Sequence, residues 1–365
     1  MKGKLGFGCM RMPMDGDDVD HKIFCQMIDV FMENGFHYFD TAKGYLNQKS
    51  EIALRECLVK RYPRESFVLT NKLSTSFFSS EEEIRPLFES QLKACGVDYF
   101  DFYLMHSQNK ELYEKFQNCH AYETALALKE EGKFRHLGIS FHDKASMLEK
   151  ILREHPEIEV VQIQFNYADF EDPSVESRKC YEVCRKFQKP IIVMEPVKGG
   201  SLANLPAPAQ AIFDELKNGS AASYAIRFAA GFDGIMMVLS GMSSVEMVRE
   251  NTTYMKNFQP LNKAEQEAID QVCHIFHSKN LIPCTGCRYC VDGCPKNILI
   301  PDLFSCMNNK ELWKNWNADY YYWVHTQKNG KAGDCIACGA CEEICPQNLP
   351  IRELMKQLCQ AFDKK

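Results

Sequence analysis

Two copies of one cysteine spacing close the chain and restrict what its end can fold into. Each copy has the form C-x2-C-x2-C-x3-C-P, in which cysteines two residues apart can place their sulfurs on neighbouring corners of a compact iron–sulfur cluster. Small residues between them, such as Gly286 and Gly339, leave room for backbone N–H groups to point at the inorganic sulfides. The spacing therefore predicts two [4Fe-4S] clusters. Their ligands would be Cys284, Cys287, Cys290 and Cys294 in the first run, and Cys335, Cys338, Cys341 and Cys345 in the second.

In this spacing the fourth cysteine of each run, which precedes a proline, ligates the cluster of the other run. The first cluster would thus use Cys345 beside three cysteines of the first run, and the second would use Cys294 beside three of the second run. Structural zinc would need only two C-x2-C pairs and would leave the third cysteine unused. Disulfides are disfavoured in a reducing compartment. Clusters therefore explain more of the pattern than either alternative.

The rest of the composition points to a cytoplasmic protein. The length of 365 residues exceeds the usual size of a single core, so one large and one small domain are expected. The ten cysteines outside the two runs are interpreted as small buried apolar residues of a reduced protein. The sequence has neither the apolar length of a membrane span nor the apolar core of a signal peptide. With a net charge of −6 and no lysine or arginine block, we expect neither nucleic acid nor membrane as a partner.

Short runs rich in β-branched and aromatic residues alternate with amphipathic helical stretches up to about residue 256, which is typical of βα units around a parallel sheet. Eight strands over this length favour an α/β fold of the TIM (β/α)8 barrel type over an open doubly wound sheet. No G-x-G-x-x-G motif follows the first strand, as a dinucleotide-binding doubly wound fold would require. The predicted strands are Leu5–Cys9, Phe36–Thr41, Phe67–Lys72, Phe100–His106, Phe134–Ser140, Val160–Asn166, Pro190–Pro196 and Ile235–Gly241.

The domain organisation follows from these patterns. Residues 1–259 are predicted to form the barrel, residues 260–280 a linker helix, and residues 281–365 a small α+β ferredoxin-like domain. An aromatic-rich insertion separates the two cysteine runs and holds the three tryptophans of the chain. We interpret it as an apolar plate that docks on the barrel or shields a cluster. Its aromatic residues are Trp313, Trp316, Tyr320, Tyr321, Tyr322 and Trp323.

In such a barrel the catalytic groups lie at the C-terminal ends of the strands. Asp40, Lys72 and His106 are predicted at three of these ends, and Tyr45 follows in a loop. A tyrosine, whose ordinary pKa is about 10, is a poor acid near neutral pH unless an adjacent ammonium stabilises its phenolate. Lys72 would supply that charge, Asp40 would hold Lys72, and His106 would bind the reacting oxygen. Tyr45 is then the candidate proton donor to a ketone or aldehyde.

The segments that contain these residues resemble the aldo/keto reductase family. The matching segments are FDTAKGY (Phe39–Tyr45), LTNKL (Leu69–Leu73) and DFYLMH (Asp101–His106). The resemblance covers roughly residues 1–256 and implies that Asp40, Tyr45, Lys72 and His106 form the catalytic tetrad of the family. The end of the chain resembles the subgroup that closes with a ferredoxin-like domain carrying two clusters.

The resemblance also implies a nicotinamide cofactor and a small-molecule carbonyl or alcohol as substrate. Contacts with the carboxamide, the pyrophosphate and the adenosine end carry over less directly than the tetrad. By position, these contacts would come in turn from Ser140 and Gln162, from Gly199 and Gly200, and from Ser243, Glu250 and Asn251.

Four positions depart from the pattern of the family. Met194 stands where many relatives have an aromatic residue that stacks on the nicotinamide, and Phe141 replaces a polar contact to the carboxamide. Gly241 and Met247 stand where many relatives have a basic or amide group near the 2′-phosphate. Because a phosphate normally needs a charged partner, the preference for NADPH over NADH should be weak. The choice among NADH, NADPH and flavin stays open.

Two functions fit the sequence. The first is an oxidoreductase that transfers a hydride between a nicotinamide and a carbonyl or alcohol, with the clusters serving electron transfer or stability. The second is an iron–sulfur electron-transfer protein whose barrel docks a flavin or a redox partner protein. Hydride transfer moves two electrons at once whereas each cluster accepts one, so the two chemistries need an intermediate carrier to be joined.

Overall fold

The computed structural model of the protein describes residues 3–172, 175–277, 281–313 and 316–363. Two compact units make up the chain. The first unit comprises Met1–Pro196 and Ala225–Leu261, and the second comprises Val197–Tyr224 and Asn262–Lys365. The segment Val197–Tyr224, which the sequence pattern assigned to the barrel, thus groups with the cysteine-rich end of the chain.

The first unit is built on a closed barrel of eight parallel strands, which confirms the predicted fold class. Strand β1 (Leu5–Gly8) pairs with both β10 (Ile235–Ser240) and β4 (Tyr38–Asp40), and the remaining strands pair in chain order, so the sheet has no free edge. Each predicted strand overlaps one barrel strand, and every end agrees within two residues. The barrel strands are β1 Leu5–Gly8, β4 Tyr38–Asp40, β5 Val68–Leu73, β6 Phe100–Gln108, β7 Phe134–Phe141, β8 Val160–Gln164, β9 Ile191–Met194 and β10 Ile235–Ser240.

A short hairpin, which the sequence did not predict, follows β1. Its strands β2 (Met14–Asp15) and β3 (Asp18–Val19) pair antiparallel around a turn that contains Gly16. Gly16 has φ +58°, a left-handed conformation that glycine adopts without steric cost. The polar composition of this stretch hid a strand pair of only two residues on each side.

Helices surround the barrel and fix its strands through apolar contacts. Helix α1 (His21–Glu33) begins at Asp20, whose side chain accepts a hydrogen bond from the N–H of Ile23. On its buried face, Phe24 and Phe31 pack edge-on against Phe7 of β1. The other helices of this unit are α2 Lys49–Leu54, α3 Ile84–Cys95, α4 Lys110–Asn118, α5 Ala121–Glu130, α6 Ala145–Glu154, α7 Ser177–Lys186 and α10 Val245–Lys256. Helix α9 (Ala221–Ala230) runs from the second unit into the first.

The inside of the barrel is filled by apolar side chains below the level of its polar residues. Seven side chains form this buried layer. Because alternate residues of a strand face the interior, the next inward positions on three of these strands, β4, β6 and β8, carry the polar residues Asp40, His106 and Gln162. The seven are Tyr38, Phe102, Leu104, Val160, Ile192, Met237 and Leu239.

The second unit is mostly helical. Helix α8 (Ala207–Leu216) packs against α11 (Lys263–His277), which joins the segment after β9 to the C-terminal part of the same unit. The two cysteine runs surround a small apolar core that includes Phe304 and Leu358. The remaining helices are α12 Tyr289–Asp292, α13 Ile300–Trp313, α14 Trp316–Thr326, α15 Ala340–Glu343 and α16 Ile351–Leu358.

The aromatic-rich insertion contributes only in part to this core. Tyr322 is buried, stacks on Phe362 with ring centroids 4.3 Å apart, and donates a hydrogen bond to Asp363. Tyr321 and Trp323 are more than half exposed. The side chains of Trp313, Trp316 and Tyr320 lie outside the described residues. Within the stretch Tyr321–Trp323, the middle ring is therefore buried and its two aromatic neighbours are exposed.

Candidate active site and cysteine cavities

The ammonium of Lys72 is the centre of the polar cluster inside the barrel. It donates hydrogen bonds to Asp40 Oδ1 at 2.5 Å, to the carbonyl of Thr41 at 2.8 Å and to Tyr45 Oη at 3.2 Å. An ammonium carries three protons, so these acceptors use all of its donors. The side chains of Lys72 and Asp40 are 1% and 4% exposed. The group next to the Tyr45 hydroxyl is thus a buried, fully bonded lysine.

The alternation of strands β4 and β5 places this pair. Asp40 pairs in register with Thr70, so Lys72 lies two residues further along the neighbouring strand and faces the same side. Thr70 Oγ1 bonds Tyr38 Oη at 2.6 Å, as expected if these alternate positions all face inward. From the opposite side of the barrel, Gln162 Nε2 donates to Asp40 Oδ2 at 3.3 Å. Burial raises the pKa of Asp40 above its ordinary value, while the positive charge of Lys72 opposes that increase.

Tyr45 lies in the loop between β4 and α2. Its ring lies 4.8 Å from the Lys72 ammonium and 6.0 Å from the ring of His106, centroid to centroid. The next three residues, 46–48, all have positive φ values between 51° and 68°. Non-glycine residues adopt this conformation rarely, and such strain is typical of sites where surrounding contacts hold a functional side chain. The loop thus brings Tyr45 to the polar cluster in an unusual backbone conformation.

His106 completes the predicted tetrad. Its Nδ1 lies 2.6 Å from Ser74 Oγ, so a hydrogen bond fixes the orientation of the ring. Burial lowers the pKa of His106 well below its ordinary value of 6.5, and the charge of Lys72 lowers it further. The imidazole is therefore neutral near neutral pH. Asp40, Tyr45, Lys72 and His106 all lie together, as the strand-end argument predicted.

A second imidazole, that of His142, lies close to this cluster. Its backbone N–H donates to the carbonyl of Gln108 at 2.8 Å, which continues the β6–β7 pairing beyond Phe141. Burial lowers the pKa of His142 to about 4, with a further contribution from Lys72. Its Nδ1 is buried and has no hydrogen-bond partner among the described residues.

The residues predicted to bind a nicotinamide nucleotide are distributed over three parts of the chain. Ser140 and Gln162 are buried neighbours in the β7–β8 register, and Ser140 Oγ accepts the N–H of Ser107, which leaves its own hydroxyl proton for donation. Ser243 and Glu250 are exposed, before and on α10. Asn251 is buried, and both ends of its amide are used, by Ser240 and by Tyr254. Gly199 and Gly200 belong to the second unit and have φ values of +65° and +102°.

The two cysteine runs surround two cavities in the second unit. Each cavity is lined by three cysteines of one run and by the fourth cysteine of the other run. The first is lined by Cys284, Cys287, Cys290 and Cys345. The second is lined by Cys335, Cys338, Cys341 and Cys294. The structure thus brings the thiols together in the crossed arrangement that the two prolines suggested.

The donor set of these cavities fits iron–sulfur clusters. The N–H of Gly286 points at Cys284 Sγ from 3.4 Å, as N–H groups do around cluster sulfurs. Burial and the neighbouring thiols raise the pKa of Cys290, and burial raises that of Cys341 to about 11. The four thiols that line each cavity, among them Cys290 and Cys341 with their raised pKa values, need a cationic centre to ionise together. In the described part of the chain, no three His, Cys, Asp or Glu side chains converge tightly enough to hold one metal ion.

The sequence of the barrel matches one protein family over most of its length. The model of the aldo/keto reductase family matches residues 4–274, well over half of the chain. The chain belongs to the aldo/keto reductase family. A second model, the 4Fe-4S dicluster domain, matches residues 277–346, which include all the cysteines that line the two cavities. The protein is therefore an aldo/keto reductase oxidoreductase fused to a dicluster domain, and the predicted resemblance is confirmed.

Several curated proteins are similar to parts of this aldo/keto reductase. The 4-dihydromethyl-trisporate dehydrogenase of Mucor mucedo is 36% identical over 106 residues, which cover 28% of this chain and 30% of the relative. An uncharacterized oxidoreductase of Schizosaccharomyces pombe is 24% identical over 261 residues, covering 68% and 80%. The NADH-specific methylglyoxal reductase of Escherichia coli is 27% identical over 188 residues, covering 46% and 56%. The chain thus spans less than two thirds of the first and third of these relatives.

Solved aldo/keto reductases share the barrel. An enzyme from Klebsiella pneumoniae in complex with NADPH superimposes with a TM-score of 0.61 at 18% identity, covering 74% of this chain and 95% of that one. The holo form of an enzyme from Bacillus halodurans has a TM-score of 0.58 at 21% identity, covering 74% and 91%. At such low identity these likenesses support the fold alone.

Among the described residues, no helix is both long and apolar enough to cross a membrane.

Sequence reasoning missed a buried polar network behind Lys72 in this aldo/keto reductase. Asn71 Nδ2 donates to Glu51 Oε1 at 2.8 Å, and Gln91 Nε2 donates to both Asn71 Oδ1 and the carbonyl of Lys72. Tyr103 Oη donates to Gln91 Oε1 at 2.6 Å. The network holds strand β5 from its outer face and so orients Lys72. The sequence feature that could have revealed this network is the presence of polar residues, Asn71 and Gln91, at positions where a strand and a helix face the core.

Proposed function

We propose that this aldo/keto reductase transfers a hydride between a nicotinamide nucleotide and a carbonyl or alcohol, with Tyr45 as the general acid or base. The observation that carries the proposal is the 3.2 Å hydrogen bond from the Lys72 ammonium to Tyr45 Oη, made by a lysine that Asp40 holds in the barrel interior. A cation at this position stabilises the phenolate that remains when Tyr45 gives up its proton.

Each member of the tetrad then has one task. Tyr45 donates a proton to the oxygen of a carbonyl substrate, or takes the hydroxyl proton of an alcohol in the reverse direction. His106, neutral and oriented by Ser74, donates its Nε2 proton to the same oxygen if the Ser74 hydroxyl donates to Nδ1. Two donors on one oxygen fix the carbonyl in a single orientation.

The nucleotide would be held by groups that the resemblance singled out. When bound, the nicotinamide supplies or accepts the hydride. We assign the carboxamide to the buried pair Ser140 and Gln162, because Ser140 has a free proton to donate. The pyrophosphate is assigned to Gly199 and Gly200. The adenosine end is assigned to Ser243, Glu250 and Asn251. The Asn251 amide already donates to Ser240 and accepts from Tyr254, and an amide nitrogen carries a second N–H for a further contact.

Relatives support a nicotinamide nucleotide without choosing its type. The Escherichia coli relative is named as NADH-specific, and the Klebsiella pneumoniae structure contains NADPH. In this chain the glycine and methionine at positions 241 and 247 provide no cation for a 2′-phosphate. We therefore expect little discrimination between NADPH and NADH.

The eight cysteines of the two cavities are proposed to bind two [4Fe-4S] clusters. The clusters serve either to stabilise the second unit or to exchange single electrons with a carrier such as a flavin or a redox partner protein. The exposed thiol of Cys338 and the exposed side chain of Ile336, both at the second cavity, favour exchange at that cluster.

Replacement of Tyr45 by phenylalanine tests the catalytic assignment. The wild-type protein, purified without oxygen, is assayed with NADH and NADPH against a panel of aldehydes and ketones. Tyr45→Phe should lower kcat by about 10²- to 10⁴-fold, the range of general acid catalysis, with the affinity for the nucleotide unchanged. The matched control is Tyr181→Phe, which removes a phenol that donates one hydrogen bond to the Asp233 carbonyl at the barrel surface. Turnover by Tyr45→Phe equal to that of the control would contradict the proposal.

The same preparation separates the two roles of the clusters. Iron, sulfide and flavin are quantified, the clusters are reduced with a low-potential donor, and their reoxidation by each carbonyl substrate is followed by absorbance. Reoxidation that requires flavin would support the electron-transfer function. If no substrate reoxidises the clusters, they act in stability.

A further inference from the structure

The turn that follows β9 touches the backbone of the first cysteine loop, which is the segment Cys284–Cys287 of the first cysteine run. Gly199, in the turn Lys198–Gly200, leaves no space for a side chain: a Cβ atom there would lie 1.6 Å from the carbonyl oxygen of Thr285 and 2.5 Å from its carbonyl carbon. Real Cβ contacts are never this short, and the obstacle is backbone rather than a flexible side chain. Gly199 and Thr285 are 86 residues apart in sequence, and their segments are therefore in direct backbone contact within the second unit.

Thr285 belongs to the wall of the first cavity. It lies between the ligand positions Cys284 and Cys287, is buried, and is followed by Gly286, whose N–H bonds Cys284 Sγ. A shift of the Thr285 carbonyl would therefore move the segment that carries two of the four thiols of this cavity. The conformation of the turn and the geometry of the first cavity depend on one another.

The segment after the turn makes a second contact within the same unit, between helices α8 and α11. Helix α8 packs against α11, and the turn itself is closed by hydrogen bonds from Gly200 N–H to the Val197 carbonyl and from Ser201 N–H to the Lys198 carbonyl. The turn is thus short and internally bonded, and it is supported on one side by the cysteine loop. It has little freedom to adjust independently if that loop changes.

We infer that the first cysteine loop sets the conformation of the turn Lys198–Gly200, so that assembly of the first cluster and binding of the nicotinamide nucleotide favour each other. The inference rests on the proposed function, which assigns the pyrophosphate to Gly199 and Gly200. Coupling of this kind is reciprocal: if the cluster tightens nucleotide binding, the nucleotide must protect the cluster by the same factor. Loss of the first cluster to oxygen would then weaken nucleotide binding without any electron passing between them.

Variants of the cysteines test the coupling without changing the turn. Dissociation constants for NADH and NADPH are measured by fluorescence titration without oxygen, on full-length protein carrying Cys287→Ser in the first cavity or Cys338→Ser in the second. We expect roughly tenfold weaker binding for Cys287→Ser, a coupling of ordinary size, and wild-type affinity for Cys338→Ser. Iron analysis of each variant establishes how much of the iron is lost, and the position of the replaced cysteine assigns the loss to one cavity.

The reciprocal measurement uses the wild-type protein. Iron release to a chelator is followed with and without saturating nucleotide, and bound nucleotide should slow the release of one half of the iron by roughly tenfold. A third comparison uses Gly199→Ala, which should lower both the iron content and the nucleotide affinity. Its control is Gly16→Ala, because Gly16 has a similar φ of +58° against +65° but no atom within 4 Å of an added Cβ.

The outcomes separate this inference from the proposed function. Absence of NADH and NADPH binding to the wild-type protein would overturn the proposed function and the coupling with it. Nucleotide binding that is equally tight in Cys287→Ser and Cys338→Ser, or iron release that nucleotide does not slow, would overturn the coupling alone.

Discussion

Replacement of Lys72 by methionine should reveal how strongly the buried ion pair depends on both partners. Methionine keeps the apolar stem of the lysine but removes the three hydrogen bonds to Asp40, Thr41 and Tyr45. Asp40 would then keep the amide of Gln162, 3.3 Å away, as a donor in the barrel interior. A carboxylate buried in this way must either stay charged without its cation or take up a proton.

The magnitude follows from the burial of the pair. With side chains 1% and 4% exposed, removing one partner should cost about 3–5 kcal/mol of the free energy of unfolding. Asp40→Asn should cost somewhat less, because the amide oxygen can still accept from Lys72. The double variant, which leaves no uncompensated charge, should be more stable than the sum of the single losses by about 2–3 kcal/mol.

The assay is urea denaturation without oxygen, followed by far-ultraviolet circular dichroism. Tryptophan fluorescence would report on the wrong region, because all three tryptophans lie between residues 313 and 323. The control cycle is Arg85→Met with Glu131→Gln, an ion pair with the same 2.5 Å separation but with side chains 41% and 43% exposed. This exposed pair should show a coupling below about 1 kcal/mol. Single losses at Lys72 and Asp40 that add within about 0.5 kcal/mol would refute the reasoning.

Three further perturbations address the groups around this pair. Ser74→Ala removes the hydrogen bond that orients the ring of His106, and it should lower kcat/KM about tenfold with no change in nucleotide affinity. This loss is smaller than that expected for removal of the general acid itself. Wild-type kinetics would exclude Ser74 as the group that orients the ring. Burial lowers the pKa of His106 well below 6.5 and that of His142 to about 4, so these two imidazoles bind fewer protons in the folded protein than in the unfolded protein between pH 6.5 and 4. The contribution of these two groups to the free energy of unfolding should therefore be complete above pH 6.5 and decrease as the pH drops below it. His142→Asn should reduce this decrease by up to roughly 3 kcal/mol, as measured by denaturation at several pH values. An identical pH dependence in the variant would contradict the assignment. Asn47→Gly removes the steric cost of a φ of +53° and should raise the free energy of unfolding by about 1 kcal/mol. The added backbone freedom two residues after Tyr45 should lower kcat. A destabilised variant would show that the left-handed loop is not strained.

The barrel could be predicted from sequence because each strand carries its own local signal. Runs such as Phe100–His106 are apolar, rich in aromatic residues and bounded by turn residues, and burial on both faces of a parallel strand requires that composition. The crossed cysteine cavities could be predicted for a similar reason. The spacing within each run groups its first three thiols, and the fourth cysteine of this pattern, which precedes a proline, ligates the cluster of the other run.

What escaped prediction depends on partners distant in sequence. Ser74 and His106 are 32 residues apart, and Asn71 meets Gln91 across 20 residues. A serine or glutamine has no local pattern that announces such a partner, because many polar side chains at strand and helix ends bond only water. The same limit applied to the segment Val197–Tyr224, whose grouping with the second unit follows from packing of α8 on α11 rather than from composition.

The contact between Gly199 and Thr285 offers a way to reconcile the two chemistries of this chain. Hydride transfer moves an electron pair, whereas a [4Fe-4S] cluster accepts one electron, so a direct exchange needs a carrier that can do both. A cluster that supports the turn to which we assign the pyrophosphate needs no such carrier, because it acts through the position of the Thr285 backbone. On this view an oxidoreductase of the plain family type gains dependence on iron and on the absence of oxygen while Tyr45, Lys72, Asp40 and His106 keep their arrangement. If so, a protein stripped of iron should retain the Lys72–Tyr45 hydrogen bond and lose nucleotide affinity, and it should not lose the ability of Tyr45 to transfer a proton once nucleotide is supplied in excess.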